Sequence, residues 1–183
     1  ALNNVYTLKE SIEIKYSYPM VKSVVIAALF TPVKSNFEKH TEDDYVDFFY
    51  ERNIPKMLSR EGPKCAVGDV NNDGLEDVFI GGTNGHPGQM YLQKQDGEFV
   101  KKEEKVFQQF TDFEDVAVLL FDCDKDGDLD LLICPGGNNV PENSRQLQLR
   151  LFKNDGKGNF ELDTTAFSST NANISVAAAY DFD

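Results

Sequence analysis

The sequence has few of the residues that mark several common classes of protein. Among its 183 residues there are two histidines, His40 and His86, and neither an HExxH zinc motif nor a Gly-x-Ser-x-Gly nucleophile turn. The three cysteines, Cys65, Cys123 and Cys134, are an odd number and do not make a complete disulfide framework. A Cys123–Cys134 pair stays open, because spacing alone does not establish the geometry that a disulfide needs. We therefore expect no catalytic residues and no organic cofactor.

The sequence also has few basic residues. The 18 Lys and Arg residues face 31 Asp and Glu residues, which gives a net charge of −13. A nucleic-acid backbone is bound by clustered Lys and Arg, so we expect no nucleic-acid partner. No apolar run approaches the roughly 18 residues of a membrane helix, since a run such as Val24 to Phe30 is far too short. We therefore expect no direct membrane insertion.

What the sequence does contain is a repeated acidic loop. Oxygen-bearing side chains stand at the first, third, fifth and ninth positions of residues 69–77, with glycine at the sixth, and the pattern returns in residues 122–130. Ca²⁺ takes about 6–8 oxygen ligands and suits a flexible all-oxygen cage better than Mg²⁺ does. We predict two calcium sites, with a backbone carbonyl at the seventh position of each. Their ligands are Asp69, Asn71, Asp73, Leu75 and Asp77, and Asp122, Asp124, Asp126, Asp128 and Asp130.

A helical calcium hand is the main alternative for these loops. That motif needs a bidentate Glu at the twelfth position and a helix on each side. The twelfth residues here are Ile80 and Ile133, which are apolar and lie in β-type runs. A simple preference of Asp, Asn and Gly for tight turns does not explain carboxylates at the first, fifth and ninth positions of both loops. The pattern therefore favours metal loops between strands.

Each loop belongs to a longer repeat of β-type segments. One apolar segment precedes the loop, a second follows it, and a third and fourth are joined by Asp96-Gly97 or Asp155-Gly156, a strong hairpin signal. The repeat begins again at Asp181 and Asp183, which would form an incomplete third calcium site. Four strands per unit predict an all-β fold made of consecutive four-stranded antiparallel blades of a partial β-propeller.

The predicted organisation has five parts. They are a small β-rich segment at 1–30, a polar and aromatic lead-in at 31–62, blades at 63–116 and 117–173, and the start of a third repeat at 174–183. In the lead-in we expect a solvated acidic loop, with Phe48, Phe49 and Tyr50 as packing residues. Because the chain lacks an initiator Met and stops inside a repeat, we expect a piece of a longer protein that supplies the remaining propeller blades.

The residues around the loops resemble a known family. Ala66-Val67-Gly68 before the first loop and Val78 to Gly82 after it are similar to the FG-GAP/VCBS repeat of integrin-α-type β-propellers, as are the two hairpins. The second unit departs from that pattern, since Cys134-Pro135 is inserted before its glycine pair and Val140 to Gln148 is enlarged. The lead-in from Tyr45 resembles that of ASPIC/UnbV-type exported bacterial proteins.

The resemblance implies a function as well as a fold. It implies a non-catalytic, calcium-stabilised module for binding, adhesion or scaffolding, in a protein that is extracellular, on the cell surface or periplasmic. The partner would be a protein or glycan ligand whose identity the sequence does not give. The alternative is an accessory propeller of a polysaccharide-degrading hydrolase or lyase, which rests on analogy with propellers found in such enzymes.

Overall fold

The structure is a computed structural model that describes residues 35–167 and 170–181. The chain divides into two compact units, Ala1–Val33 and Lys34–Asp183, and all the described residues lie in the second. The β-rich segment predicted at 1–30 and the last residue of the predicted third site, Asp183, lie outside the described residues.

Two four-stranded antiparallel sheets follow one another along the chain. The first has the order β1 (Cys65–Gly68), β2 (Asp77–Ile80), β3 (Gln89–Gln93), β4 (Phe99–Lys102). The second has the order β5 (Asp115–Phe121), β6 (Asp130–Pro135), β7 (Arg150–Asn154), β8 (Phe160–Leu162). The described residues contain no α-helix, and short 3-10 helices lie at Asp47–Phe49, Phe107–Phe110 and Arg145–Leu147. For the described residues, the prediction of an all-β fold with four antiparallel strands per repeat is confirmed.

The turns between the third and fourth strands follow from their Asp-Gly sequences. Asp96 accepts a hydrogen bond from the backbone N–H of Glu98 at 3.0 Å, and Gly97 adopts a φ of 85° that a side chain would strain. In the second sheet, Asp155 is followed by Gly156 at a φ of 70°. These local preferences set the register of both hairpins.

The two sheets share one aromatic core. The Phe107 ring lies 5.2 Å from that of Phe79 in β2 and 5.3 Å from that of Phe152 in β7, both in edge-on geometry. A third neighbour, Phe160 in β8, is 5.9 Å away. Because Phe107 is buried between strands of both sheets, its burial ties one repeat to the next.

The first strands of the two sheets lie beside each other, so β1 neighbours β5. Gly68 at the end of β1 permits this approach, because a Cβ placed there would lie 2.7 Å from Cδ1 of Leu129 and 3.4 Å from Cδ1 of Leu120. The two acidic loops start where these neighbouring strands end, and they therefore emerge at the same side of the sheets.

The second sheet absorbs the Cys134-Pro135 insertion within a strand. β6 continues to Pro135, where Ala117 pairs with Cys134 and Asp115 with Pro135, and the register shifts between Asp115 and Ala117. The extra residue of this bulge is Val116 in β5, so the irregularity lies in the strand opposite the inserted residues. All three cysteines are free, so the Cys123–Cys134 pair left open by the sequence is not formed.

The lead-in differs from its predicted character. Phe49 and Tyr50 are 76% and 74% exposed and Phe48 is 41% exposed, so the expectation that these three are packing residues is wrong for the two phenylalanines. Tyr50 packs only through its ring, which stacks on that of Tyr45 at 5.3 Å. Asp47 is fully buried instead and accepts hydrogen bonds from the backbone N–H and the hydroxyl of Ser59. The 3-10 turn that starts at Asp47 directs the following aromatic side chains outward.

The start of the third repeat is described as far as Asp181. The sequence predicts a strand over residues 177–181, but the structure assigns none there. Upstream, the backbone N–H of Ile174 donates to the Pro135 carbonyl at 3.0 Å, which holds the segment against the end of β6. In the part of the chain that is described, no helix is long and apolar enough to cross a membrane.

Candidate metal centre

The second acidic loop gathers three carboxylates. One oxygen from each of Asp122, Asp124 and Asp130 lies within 4.8 Å of the other two. Among the described residues, no other group of three or more His, Cys, Asp or Glu side chains comes this close together. Asp122 and Asp124 are exposed and Asp130 is buried. Three oxygens at these separations can contact one divalent cation, so the donor set fits the hard ion that the spacing predicts.

The loop is shaped by its own aspartates. Oδ1 of Asp122 accepts the backbone N–H of Lys125 at 2.7 Å, and Oδ2 accepts that of Gly127 at 3.0 Å. Asp126 accepts the N–H of Asp128 at 3.0 Å and lies outside the three-carboxylate group. Gly127 has a φ of 94°, which explains why the sixth position is glycine.

The ninth position anchors the second loop to the sheet. Asp130 is the first residue of β6, and its Oδ2 accepts the N–H of Cys123 at 3.2 Å. Its Oδ1 accepts the N–H of Asn154 in β7 at 2.9 Å. One buried carboxylate at the start of the second strand therefore joins the loop to the third strand of the sheet.

The first loop repeats this arrangement. Asp77, the first residue of β2, accepts the N–H of Val70 at 3.1 Å and that of Gln93 in β3 at 2.9 Å. Asp69 accepts the N–H of Asp73 at 3.1 Å and that of Gly74 at 2.7 Å. The two predicted loops thus share the hydrogen bonds of their sixth-position glycines and ninth-position aspartates. They differ at the first-position aspartate, which also accepts the N–H of the fifth residue in the first loop and of the fourth in the second.

The third position distinguishes the two loops. Asn71 stands there in the first loop, where its Oδ1 accepts the N–H of Asp73 at 3.1 Å and its Nδ2 donates to Asp73 at the same distance. The described residues show no three-carboxylate group in this loop. For the seventh positions, Leu75 and Asp128 donate their N–H groups to Asp73 and Asp126, and their carbonyls stay predicted ligands.

The surroundings of Asp77 in the first loop make its ionisation less favourable. Burial raises the pKa of Asp77, while the N–H groups of Gln93 and Val70 act in the opposite direction. The carboxylates of Asp73 and Asp69 raise the pKa of Asp77 further. Like charges held this close repel each other, and a bound cation would relieve that repulsion.

Lys153 is a residue of this centre that the sequence prediction missed. Its Nζ donates to Asp124 Oδ2 at 2.7 Å and lies 3.5 Å from Asp130 Oδ2. The ion pair lowers the pKa of Asp124 and raises that of Lys153. Lys153 immediately precedes Asn154, whose N–H bonds to Asp130. An alignment of the two hairpins could have found it, because only the second repeat has a lysine at this position.

The two loops also contact each other. Nδ2 of Asn72 donates to Asp128 Oδ1 at 2.8 Å, and Nδ2 of Asn154 donates to the carbonyl of Val70 at 2.7 Å. Asp181, the last described residue of the predicted third site, lines a pocket together with Asp122 of the second loop. The structure therefore brings the two acidic loops into contact and places Asp181 at the same pocket as Asp122.

A comparison with protein families supports the resemblance. The model of the FG-GAP-like repeat family matches residues 69–133, which begin with the first acidic loop and extend through most of β6. Both predicted calcium loops lie inside the matched region. No curated protein shows significant sequence similarity to the chain. Over residues 69–133 the chain is thus similar to the FG-GAP-like repeat family, and the two four-stranded antiparallel sheets are consistent with repeats of that kind.

Proposed function

We propose that the two sheets are blades of a calcium-stabilised β-propeller, which serves as a non-catalytic binding or scaffolding part of a longer exported protein. The observation that carries this proposal is the gathering of Asp122, Asp124 and Asp130 in a loop whose anchoring bonds recur in the first repeat. Repetition of one site in successive structural units favours an architectural role over a single reaction centre.

Calcium would act by connecting strands. Each ninth-position carboxylate already joins the acidic loop to the third strand of its sheet, through Asp77 to Gln93 and through Asp130 to Asn154. A cation bound by the same carboxylates would neutralise the repulsion within the loop and add a cross-link between the first two strands. Binding to the folded state alone stabilises that state by mass action.

The side-by-side placement of β1 and β5 supports the propeller arrangement, because successive blades of a propeller are arranged radially about a common channel. The remaining blades would come from further repeats of the longer protein, and the partner would be a protein or glycan ligand. A glycan-cleavage screen with and without Ca²⁺ separates this role from that of a polysaccharide-degrading enzyme. If the unaltered protein cleaves a glycan and substitution of a candidate catalytic residue abolishes that cleavage, the non-catalytic role is contradicted.

Titration calorimetry tests the calcium sites directly. We expect the protein to bind two Ca²⁺ ions, and we expect Asp73→Ala and Asp124→Ala each to lose one of them. Asp96→Ala is the matched control, because Asp96 also caps an exposed turn but lies outside both loops. Absence of Ca²⁺ binding at millimolar concentration in the unaltered protein would contradict the proposal.

A further inference from the structure

We infer that Lys153 sets the cation affinity of the second loop, as an internal positive charge that competes for its carboxylates. The inference rests on the calcium role proposed above and goes beyond it, since it assigns different affinities to two loops that share one scaffold. The residues that carry it are Lys153 and Asp124, together with their counterparts in the first repeat.

The Lys153 ammonium lies close to two of the three grouped carboxylates. Nζ is 2.7 Å from Asp124 Oδ2 and 3.5 Å from Asp130 Oδ2. The Lys153 side chain is 30% exposed, whereas that of Asp130 is only 1% exposed, so one of these charge contacts is shielded from solvent. Solvent and salt therefore screen this part of the ammonium's field less than they would at an open surface.

The first repeat supplies an internal comparison. The N–H of Gln93 bonds to Asp77 as the N–H of Asn154 bonds to Asp130, which makes Leu92 the counterpart of Lys153. At the third loop position the counterpart of Asp124 is Asn71. The described residues show no ion pair to Asp69, Asp73 or Asp77 of the first loop.

The differences at these two positions compensate each other in charge, while the loops also differ in charge at their fourth, seventh and eighth positions. The second loop gains a carboxylate, Asp124 in place of Asn71, and gains an ammonium, Lys153 in place of Leu92. In the structure these two added groups form a hydrogen-bonded ion pair. The additional carboxylate is thereby engaged by a lysine, and an incoming cation must either displace that lysine or bind beside its positive charge. Both routes weaken binding, the first through the lost ion pair and the second through repulsion.

The test isolates the second loop and then changes its lysine. In an Asp73→Ala background, which removes the first site, Lys153→Leu is expected to tighten Ca²⁺ binding about tenfold by calorimetry. Lys157→Leu is the control, because it removes the same charge from the neighbouring hairpin turn. In the reciprocal experiment, an Asp124→Ala background isolates the first loop, and Leu92→Lys is expected to weaken its Ca²⁺ binding.

The outcomes separate this inference from the proposed function. If the Asp73→Ala protein binds Ca²⁺ and Lys153→Leu leaves the affinity unchanged or lowers it, the inference is wrong and the calcium role stands. If the unaltered protein and Lys153→Leu both fail to bind Ca²⁺, the calcium role fails and the inference fails with it. Melting temperatures in EDTA provide a second readout, since a lysine that only supports folding would lower the melting temperature on removal without tightening binding.

Discussion

Asn72 of the first acidic loop donates a hydrogen bond from Nδ2 to Oδ1 of Asp128 in the second loop, at 2.8 Å. Nδ2 of Asn72 also approaches the Gly156 carbonyl at 3.3 Å. Asn72 adopts a φ of 58°, a conformation that Asn and Asp tolerate better than most residues. One amide therefore connects the two loops and the hairpin turn of the second sheet.

Replacing this amide with a carboxylate should weaken the connection. We expect Asn72→Asp to lower the free energy of unfolding by about 1 kcal/mol, because a donor is lost and a negative charge then faces Asp128. The effect should shrink at high salt, which screens exposed charges. Urea denaturation at two salt concentrations measures both. Asn53→Asp, in the exposed part of the lead-in, is the control, and an equal loss there would refute a specific role for Asn72.

The shared core makes a prediction about Phe107. We expect Phe107→Ala to cost about 3–5 kcal/mol, because its ring packs on strands of both sheets and its removal leaves a cavity. Phe49→Ala, at a ring that is 76% exposed, should change stability by less than about 0.5 kcal/mol. Chemical denaturation of both variants makes the comparison, and equal effects would show that Phe107 does not join the sheets.

A buried ion pair leads to a third prediction. Arg150 in β7 donates to Asp115 in β5, and its guanidinium lies 4.3 Å from the centre of the Phe113 ring. The Arg150 and Asp115 side chains are each only 3% exposed. Arg150→Ala should therefore destabilise the protein by about 3–5 kcal/mol, since it leaves a buried carboxylate unpaired.

Arg145→Ala is the control for this pair, because Arg145 also stacks on Phe113 but its side chain is 58% exposed. We expect its free energy of unfolding to change by less than about 1 kcal/mol. If the two arginine variants were equally stable, burial of the Arg150–Asp115 pair would not matter to the fold.

Glu114 should make the stability depend on pH. Burial raises the pKa of Glu114 to about 8, and the charges of Glu42, Asp115 and Asp43 add to that effect. One carboxylate oxygen, Oε2, accepts the N–H of Asn84, while Oε1 is buried without a hydrogen-bond partner. The folded state thus holds a proton that the unfolded chain releases near the ordinary value of 4.5.

The sign of the effect follows from linkage. The contribution of Glu114 is fully present below pH 4.5 and is lost as pH rises towards about 8, so this group lowers the free energy of unfolding over that interval. Glu114→Gln should flatten this part of the profile. Denaturation midpoints from pH 5 to pH 8, taken in EDTA, give the measurement, and an unchanged profile in the variant would contradict the assignment.

The sequence predicts features that are local in the chain. Asp-Gly turns such as Asp96-Gly97 and the spacing of Asp122, Asp124 and Asp130 each involve residues less than ten positions apart. Their backbone preferences act before any tertiary contact forms, so the hairpins, the loops and the four-strand repeat follow from pattern alone.

The sequence pattern does not predict features that depend on residues far apart in the chain. Lys153 contacts Asp124 although the two are 29 positions apart in the chain, and the burial of Asp47 depends on Ser59, which is 12 positions away. The 3-10 turn that starts at Asp47 leaves Phe49 exposed, the opposite of its expected burial. Hydrophobicity alone therefore predicts the wrong burial for Phe49, because the geometry of one turn outweighs the tendency of its side chain to be buried.

The most direct test of the calcium role is thermal unfolding of the protein in EDTA, in Ca²⁺ and in Mg²⁺. At a Ca²⁺ concentration about 100 times the dissociation constant, each site adds about 2.7 kcal/mol to the free energy of unfolding. For a domain of this size, that gain corresponds to a rise in melting temperature of about 5–10 °C for each occupied site. We expect this rise with Ca²⁺, a smaller one with Mg²⁺, and a reduced response in Asp124→Ala. A melting temperature that is the same in EDTA and in saturating Ca²⁺ would contradict the account.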